Sequence, residues 1–115
     1  IVEGVSQAMG CTPEVEIDEN TPPVVNDPQT TETLQRMARA ELPELHLETN
    51  YQTTVAEDMA FFLNQIPGTF MLVGSGNAAQ GLNYAHHHPR FDFDESVLPL
   101  AAGLMAHAAE ALLKE

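Results

Sequence analysis

Residues 20–28 restrict the fold of this 115-residue chain more than any other stretch. They contain three prolines and two asparagines in nine positions. Proline inside a helix removes a hydrogen bond and clashes with the preceding turn, and it pushes the residue before it towards an extended conformation. We therefore predict an extended crossover here, which makes the segment the best candidate for a domain boundary.

Helices are predicted on both sides of this crossover because apolar residues recur at helical spacing. The first covers residues 1–9 and ends at Gly10, where glycine commonly stops a helix. The second begins with Asp27 as N-cap and Pro28 at the first helical position. Its predicted inner face is formed by Leu34, Met37 and Ala38.

Two further helices are predicted in the second half of the chain. One covers residues 55–66, with Met59, Phe62, Leu63 and Ile66 on one side, and ends at a proline-glycine turn. The other starts after Asp94 as N-cap and covers about residues 95–113. It carries a wide apolar stripe, formed by Val97, Leu98, Ala101, Leu104, Met105, Ala108 and Leu112.

Three segments have the patterns of β-strands. Residues 14–18 and 45–49 alternate polar and apolar side chains, as half-buried strands do. Residues 69–73 form a continuous apolar run, typical of a central strand covered on both faces. Because these strands alternate with helices, the predicted class is α/β, with a layered sheet and flanking helices.

The residues after the third predicted strand carry the most informative chemistry. A Gly74-Ser75-Gly76 turn comes first, and glycine lets the backbone approach a ligand closely. The histidine run His86-His87-His88 follows, and Pro89 restricts its conformation. Imidazole is a common metal ligand, so the run is a candidate metal site, and a solvated loop is the alternative interpretation.

Charge and cysteine content restrict the partners and the location expected for this chain. Four basic residues face 17 acidic ones, which gives a net charge of −13 and makes nucleic acid and anionic membranes poor partners. The single cysteine, Cys11, excludes an intrachain disulfide and fits a reducing compartment, so we expect a cytoplasmic location. No apolar run reaches the roughly 20 residues of a membrane span.

Several motifs, in order, resemble the carboxyl-terminal part of the metal-dependent amidohydrolases. This group includes the hippurate, N-acyl-amino-acid and auxin-conjugate hydrolases and is related to carboxypeptidase G2-like metallopeptidases. The matching motifs are PPVVND at 22–27, AEDMAFF at 56–62, PGTF at 67–70, GSGN at 74–77, HHPRFDFDE at 87–95 and LP at 98–99.

The resemblance implies a domain arrangement and a site. Residues 1–19 would be the end of an inserted lid and dimerisation domain, 20–28 the crossover linker, and 29–115 the carboxyl-terminal part of a catalytic domain. The family's His-x-Pro motif places a metal ligand at His87. The substrate-binding turn would consist of Gly74, Ser75, Gly76 and Asn77.

The resemblance also implies what the full-length parent does. It would use divalent Zn, Mn or Co to activate water against the amide bond of a small-molecule N-acyl amino acid, and it would form a homo-oligomer. The family's other ligands and catalytic glutamates have no counterpart here, so we expect the fragment to have no catalytic residues, no stably bound metal and no activity. The alternatives are a noncatalytic binding or assembly module and, last, a stand-alone metal-binding protein.

Overall fold

The computed structural model describes residues 1–18 and 20–114, so the expected lid boundary at residue 19 lies outside the described part. The described residues form four α-helices and two short 3₁₀ turns. The α-helices are α1 (Val2–Ala8), α2 (Pro28–Glu41), α3 (Met59–Leu63) and α4 (Leu98–Leu112), and the 3₁₀ turns are Ala78–Gln80 and Glu95–Val97. No helix of the described residues is both long and apolar enough to cross a membrane.

The ends of α1 and α2 confirm the sequence predictions. Gly10 has a φ of +72°, and the Cys11 N–H behind it donates to the Ser6 carbonyl at 2.8 Å, which closes the end of α1. At the start of α2, the Asp27 carboxylate accepts a hydrogen bond from the Thr30 N–H at 2.8 Å. Pro28 follows at the first helical position, where its missing N–H costs nothing.

The core lies between α2 and α4. Leu34, Met37 and Ala38 are buried on α2, as predicted, and they pack with Ala108 of α4. The partly buried side chains around them are Leu47, Met71, Leu104 and Ala111. This core is thin, and the radius of gyration of 19.8 Å is well above the roughly 13 Å typical of a compact domain of this length.

The predicted α/β class is wrong, because the described residues contain no strand and no sheet. Residues 14–18, 45–49 and 69–73 are all irregular. A strand is held by hydrogen bonds to a neighbouring strand, and none of these segments has one among the described residues. Their alternation and apolarity describe side chains that suit a sheet, but such a pattern cannot provide the partner.

Residues 68–70 pair instead with the crossover. The Asn26 side chain donates from Nδ2 to the Phe70 carbonyl at 3.1 Å, and its Oδ1 accepts from the Phe70 N–H at 2.8 Å. The next residue, Asp27, donates its N–H to the Gly68 carbonyl at 2.9 Å. A single amide side chain thus satisfies both backbone groups of Phe70, as a neighbouring strand would. Residues 20–27 are irregular, so the prediction that the crossover is not helical is confirmed up to Pro28, where α2 begins.

Two predicted helices are shorter than expected. The prediction over residues 55–66 is confirmed only for α3, which has five residues and buries Ala60. Phe62 and Ile66, predicted to face inward, are 62% and 61% exposed. Helices of this length gain most of their stability from packing, and this apolar side is only partly covered, because Met59 and Leu63 are half-buried whereas Phe62 and Ile66 are exposed.

The last helix begins later than predicted. Residues Glu95–Val97 form a 3₁₀ turn, and α4 follows from Leu98. Asp94 is the N-cap of this turn, as predicted, and its carboxylate accepts from the Ser96 N–H at 3.0 Å. The predicted apolar stripe is covered only in part. Ala108 is buried and Val97, Ala101 and Leu104 are half-buried, whereas Leu98, Met105 and Leu112 are 51%, 69% and 42% exposed.

Candidate functional site

A small cleft lies beside the predicted glycine turn, with a volume of about 260 Å³. Every residue that lines it falls between Ser75 and Asp92, so one continuous segment forms the whole cleft. Ser75 and Gly76 contribute from the turn, and the aromatic rings of Tyr84, His86 and Phe91 contribute from the histidine segment. The glycine turn and the histidine segment therefore line the same cleft.

A tight turn starts this segment. The Asn77 N–H donates to the Leu82 carbonyl at 2.7 Å, and the Leu82 N–H donates back to the Asn77 carbonyl at 2.9 Å. The Asn77 side chain accepts from the Gln80 N–H at 3.3 Å and so caps the 3₁₀ turn between them. Gly81 has a φ of +74°, a conformation that glycine adopts without strain.

The segment is closed at its base by Asp94. The Asn77 side chain donates from Nδ2 to Asp94 Oδ2 at 2.7 Å, and the Asp94 N–H donates to the Ser75 carbonyl at 2.9 Å. We call residues 77–94 the histidine loop. The hydrogen bond from Asn77, and then those from Ser96, hold the pKa of the Asp94 carboxyl below its ordinary value of 3.8. Asp94 is therefore ionised at neutral pH.

The three histidines of the run differ in their surroundings. The His88 ring stacks on Tyr84 with a centroid separation of 4.4 Å, and its Nδ1 accepts from the Arg90 N–H at 3.0 Å. The His86 ring meets Phe91 edge-on at 4.8 Å. The Arg90 guanidinium lies 4.7 Å from the Tyr84 centroid, which adds a cation–π contact to the stack. Both flanking histidines are thus held by aromatic neighbours.

His87 is held only by its backbone. Its φ is +66°, the one positive value at a non-glycine residue among those described. This conformation is uncommon for a side chain with a β-carbon and costs of order 1–3 kcal/mol, and such residues cluster at functional sites. The residue is exposed, and its ring makes no hydrogen bond, ion pair or ring contact with a described residue, so its nitrogens are available to a ligand.

The described residues do not form a complete metal centre. No three His, Cys, Asp or Glu side chains in residues 1–18 and 20–114 lie close enough together to hold an ion. His87 offers one accessible imidazole, which fits a single ligand position, and the remaining ligands would have to come from elsewhere. The assignment of His87 as a metal ligand therefore stays a prediction.

The structure brings together only some of the predicted site residues. Ser75 and Gly76 line the cleft and Asn77 lies at its base, whereas Gly74 is exposed outside it. His86 lines the cleft, and His87 does not. Sequence reasoning treated Asp94 only as a helix cap and missed its bond to Asn77. No local pattern signals that bond, because the partners are 17 residues apart.

Comparison with known proteins identifies the family. The profile of Peptidase family M20/M25/M40 matches residues 4–111. The chain therefore belongs to peptidase family M20/M25/M40, and the family recognised from the sequence motifs is confirmed. No solved structure gives a significant match.

Three relatives with different names are similar in sequence to this chain. The chain is 33% identical over 109 residues to Thermostable carboxypeptidase 1 of Saccharolobus solfataricus, covering 94% of this chain and 26% of the relative. It is 33% identical over 94 residues to IAA-amino acid hydrolase ILR1-like 6 of Arabidopsis thaliana, covering 82% and 20%. It is 27% identical over 113 residues to N-acetyl-L-cysteine deacetylase of Bacillus subtilis, covering 98% and 26%. The chain thus spans about a quarter of the length of the relatives it matches.

Proposed function

We propose that this chain is the carboxyl-terminal part of a metal-dependent amidohydrolase that cleaves the amide bond of N-acyl amino acids or similar conjugates. Family membership supports a hydrolase, and two relatives are named for an IAA-amino acid and for N-acetyl-L-cysteine. The observation that carries the proposal is the backbone of His87. Its left-handed conformation presents one accessible imidazole between two histidines that aromatic rings hold in place.

His87 would hold a divalent ion through a ring nitrogen of its neutral form. When bound, an ion such as Zn, Mn or Co supplies Lewis-acid activation for amide hydrolysis. The other ligands and the general base would come from residues outside this chain, because the described residues provide no cluster that could hold an ion. For the same reason, we propose that the 115-residue chain alone is inactive.

The turn of Gly74, Ser75, Gly76 and Asn77 would contact the substrate. Two of its residues are already hydrogen-bonded through the backbone, since the Ser75 carbonyl accepts from Asp94 and the Asn77 backbone pairs with Leu82. Ser75 lines the cleft, and its hydroxyl has no hydrogen-bond partner among the described residues. A turn held in this way presents polar groups at fixed positions, which favours orientation of a bound amide.

The amino-terminal segment supports the proposed domain division into 1–19, 20–28 and 29–115. Within the described residues, α1 contacts none of the other helices. Several apolar side chains of this segment are more than half exposed, and a set of this kind is expected on a surface that another domain or copy covers; they include Val2, Val5, Met9 and Ile17. We propose that this segment belongs to a lid domain and that the whole protein is a homo-oligomer. The exposed thiol of Cys11, with no disulfide, fits a cytoplasmic location.

The experiment compares the 115-residue chain with the longer protein that carries it. Both are assayed on N-acetyl-L-methionine and N-benzoylglycine after removal of metal and after addition of Zn, Mn or Co. We expect metal-dependent hydrolysis by the longer protein and none by the chain. A longer protein that hydrolyses neither probe with any of these ions would contradict the proposal and favour a noncatalytic module. Turnover by the chain above a metal-only control would contradict its inactivity.

A further inference from the structure

The cleft takes its shape from how the histidine loop is closed. All of its lining residues lie in one continuous segment, from Ser75 to Asp92, and none comes from α1, α2, α3 or α4. A loop of this kind adopts a defined shape only when its ends are fixed. The contacts that fix the ends therefore decide where the turn and the aromatic rings lie relative to each other.

Asn77 and Asp94 provide these contacts, and every polar side-chain atom of the two residues has a hydrogen-bond partner. Asn77 donates from Nδ2 to Asp94 Oδ2 at 2.7 Å and accepts at Oδ1 from the Gln80 N–H at 3.3 Å. Asp94 also accepts at Oδ1 from the Ser96 N–H at 3.0 Å. The bond between Asn77 and Asp94 is partly buried, so water competes for it less than it would at an exposed site.

The pair also connects the cleft to the core of the protein. On one side, the Asn77 backbone pairs with Leu82, which lines the cleft. On the other side, Asp94 caps the Glu95–Val97 turn, which contacts α4, and α4 packs against α2. A displacement at either member would therefore move the wall of the cleft relative to the rigid part of the structure.

We propose that Asn77 and Asp94 are positioning residues, which set the geometry of the cleft by holding both ends of the histidine loop. The claim that this geometry matters for substrate rests on the proposed function, and the claim that the pair sets the geometry does not. A carboxylate acceptor opposite an amide donor is a strong combination, because charge-assisted hydrogen bonds are about twice as strong as neutral ones.

A reciprocal exchange of the two side chains gives a specific test. In Asn77→Asp combined with Asp94→Asn, the new asparagine donates to the new carboxylate, and both side chains still accept from Gln80 and Ser96. Asn77→Asp alone places two carboxylates together, and Asp94→Asn alone places two amides together. We therefore expect each single variant to disturb the loop and the double variant to restore it. Glu95→Gln removes a neighbouring exposed charge and is the matched control.

Nuclear magnetic resonance of the 115-residue chain measures the geometry without any activity. In the unchanged chain, we expect the Asn77 side-chain amide to exchange slowly. In both single variants, we expect the signals of Tyr84, His86 and Phe91 to shift. The shifts should disappear in the double variant and be absent in Glu95→Gln. Cleft signals that are unchanged in the single variants, or a rapidly exchanging Asn77 amide in the unchanged chain, would overturn the inference.

Kinetics of the longer protein then test the consequence for substrate. Misplacement of about 1 Å can cost about a hundredfold in rate, so each single variant should lower kcat/KM about tenfold or more. The double variant should recover most of this loss, whereas a double variant as impaired as the single ones would overturn the positioning role. If the unchanged protein hydrolyses neither probe, the proposed function fails, and the resonance experiment alone decides whether the pair sets the geometry.

Discussion

Replacing Asn26 by alanine tests the way this chain holds the residues that resemble a strand. Asn26 makes two hydrogen bonds to the backbone of Phe70, at 3.1 and 2.8 Å, across 44 residues of chain. A typical hydrogen bond contributes about 1 kcal/mol, and alanine leaves both Phe70 groups without their partner. We expect Asn26→Ala to lower the free energy of unfolding by about 2 kcal/mol, which is about a 30-fold change in the unfolding equilibrium.

Urea denaturation measures this effect. With a denaturant dependence of about 1–3 kcal/mol per molar, the midpoint should fall by roughly 1 M. Hydrogen exchange should show that the Phe70 amide loses protection while amides within α2 are less affected. Asn20→Ala is the matched control, because Asn20 lies in the same crossover, is exposed and makes no side-chain hydrogen bond with a described residue. A loss below about 0.5 kcal/mol, or one equal to that of the control, would refute the reasoning.

Three further predictions concern the core, the charged caps and the histidine run. Leu34→Ala should lower the free energy of unfolding by about 2 kcal/mol, at the low end for such changes because the thin core can relax. Leu113→Ala changes an 86% exposed residue and should alter the free energy of unfolding by no more than about 0.5 kcal/mol. Equal urea midpoints for the two variants would contradict this prediction. Hydrogen bonds from Thr30 lower the pKa of Asp27, and those from Asn77 and Ser96 lower that of Asp94, both from an ordinary 3.8. The contribution of these carboxylates to stability is therefore present above pH 3.8 and lost as pH falls through their lowered pKa values. Between pH 5 and pH 2, the urea midpoint of Asp27→Asn should fall less steeply than that of the unchanged chain. Equal slopes would count against Asp27 as a stabilising N-cap of α2. His87→Gly should be about 1 kcal/mol more stable than His87→Ala, because glycine adopts the positive φ without strain, and thermal unfolding that ranks alanine first would exclude a strained backbone.

The end of α1 and the start of α2 were predictable because their sequence signals are local. Asp27, Pro28 and Gly10 act through bonds within a few residues, and each functions as its residue type suggests. The inner face of α2 was predictable for a similar reason, since its apolar spacing meets a real partner in α4. Local chemistry and helical periodicity therefore account for the part of the fold that was predicted correctly.

The sheet was not predictable because pairing depends on a partner that periodicity does not identify. Residues 69–73 have the composition of a central strand, yet the backbone of Phe70 bonds to the side chain of Asn26. The same applies to α3, where Phe62 is apolar and spaced correctly but has no surface to pack against. A pattern reports which surface a side chain suits, and the structure decides whether that surface is present.

In the candidate site, too, some features were visible in the sequence and others depend on the three-dimensional structure. The motif around His87 was one of those that identified the family, and the glycine turn and the histidine segment line one cleft although the predicted sheet that would have joined them is absent from the described residues. The bond between Asn77 and Asp94 and the positive φ of His87 were not visible in the sequence, because each depends on how the loop closes in three dimensions.

The most direct test of the proposed metal site compares the three histidines in the longer protein. Bound metal and kcat are measured for His86→Ala, His87→Ala and His88→Ala, after each variant is shown to fold. We expect His87→Ala to lose metal and nearly all activity, because His87 is the ligand position that the family motif implies and its ring makes no hydrogen bond or ring contact with a described residue. The other two rings are held by Phe91 and Tyr84, so their loss should disturb the loop and retain bound metal. Full metal content in His87→Ala, or greater metal loss in His86→Ala or His88→Ala, would contradict the account.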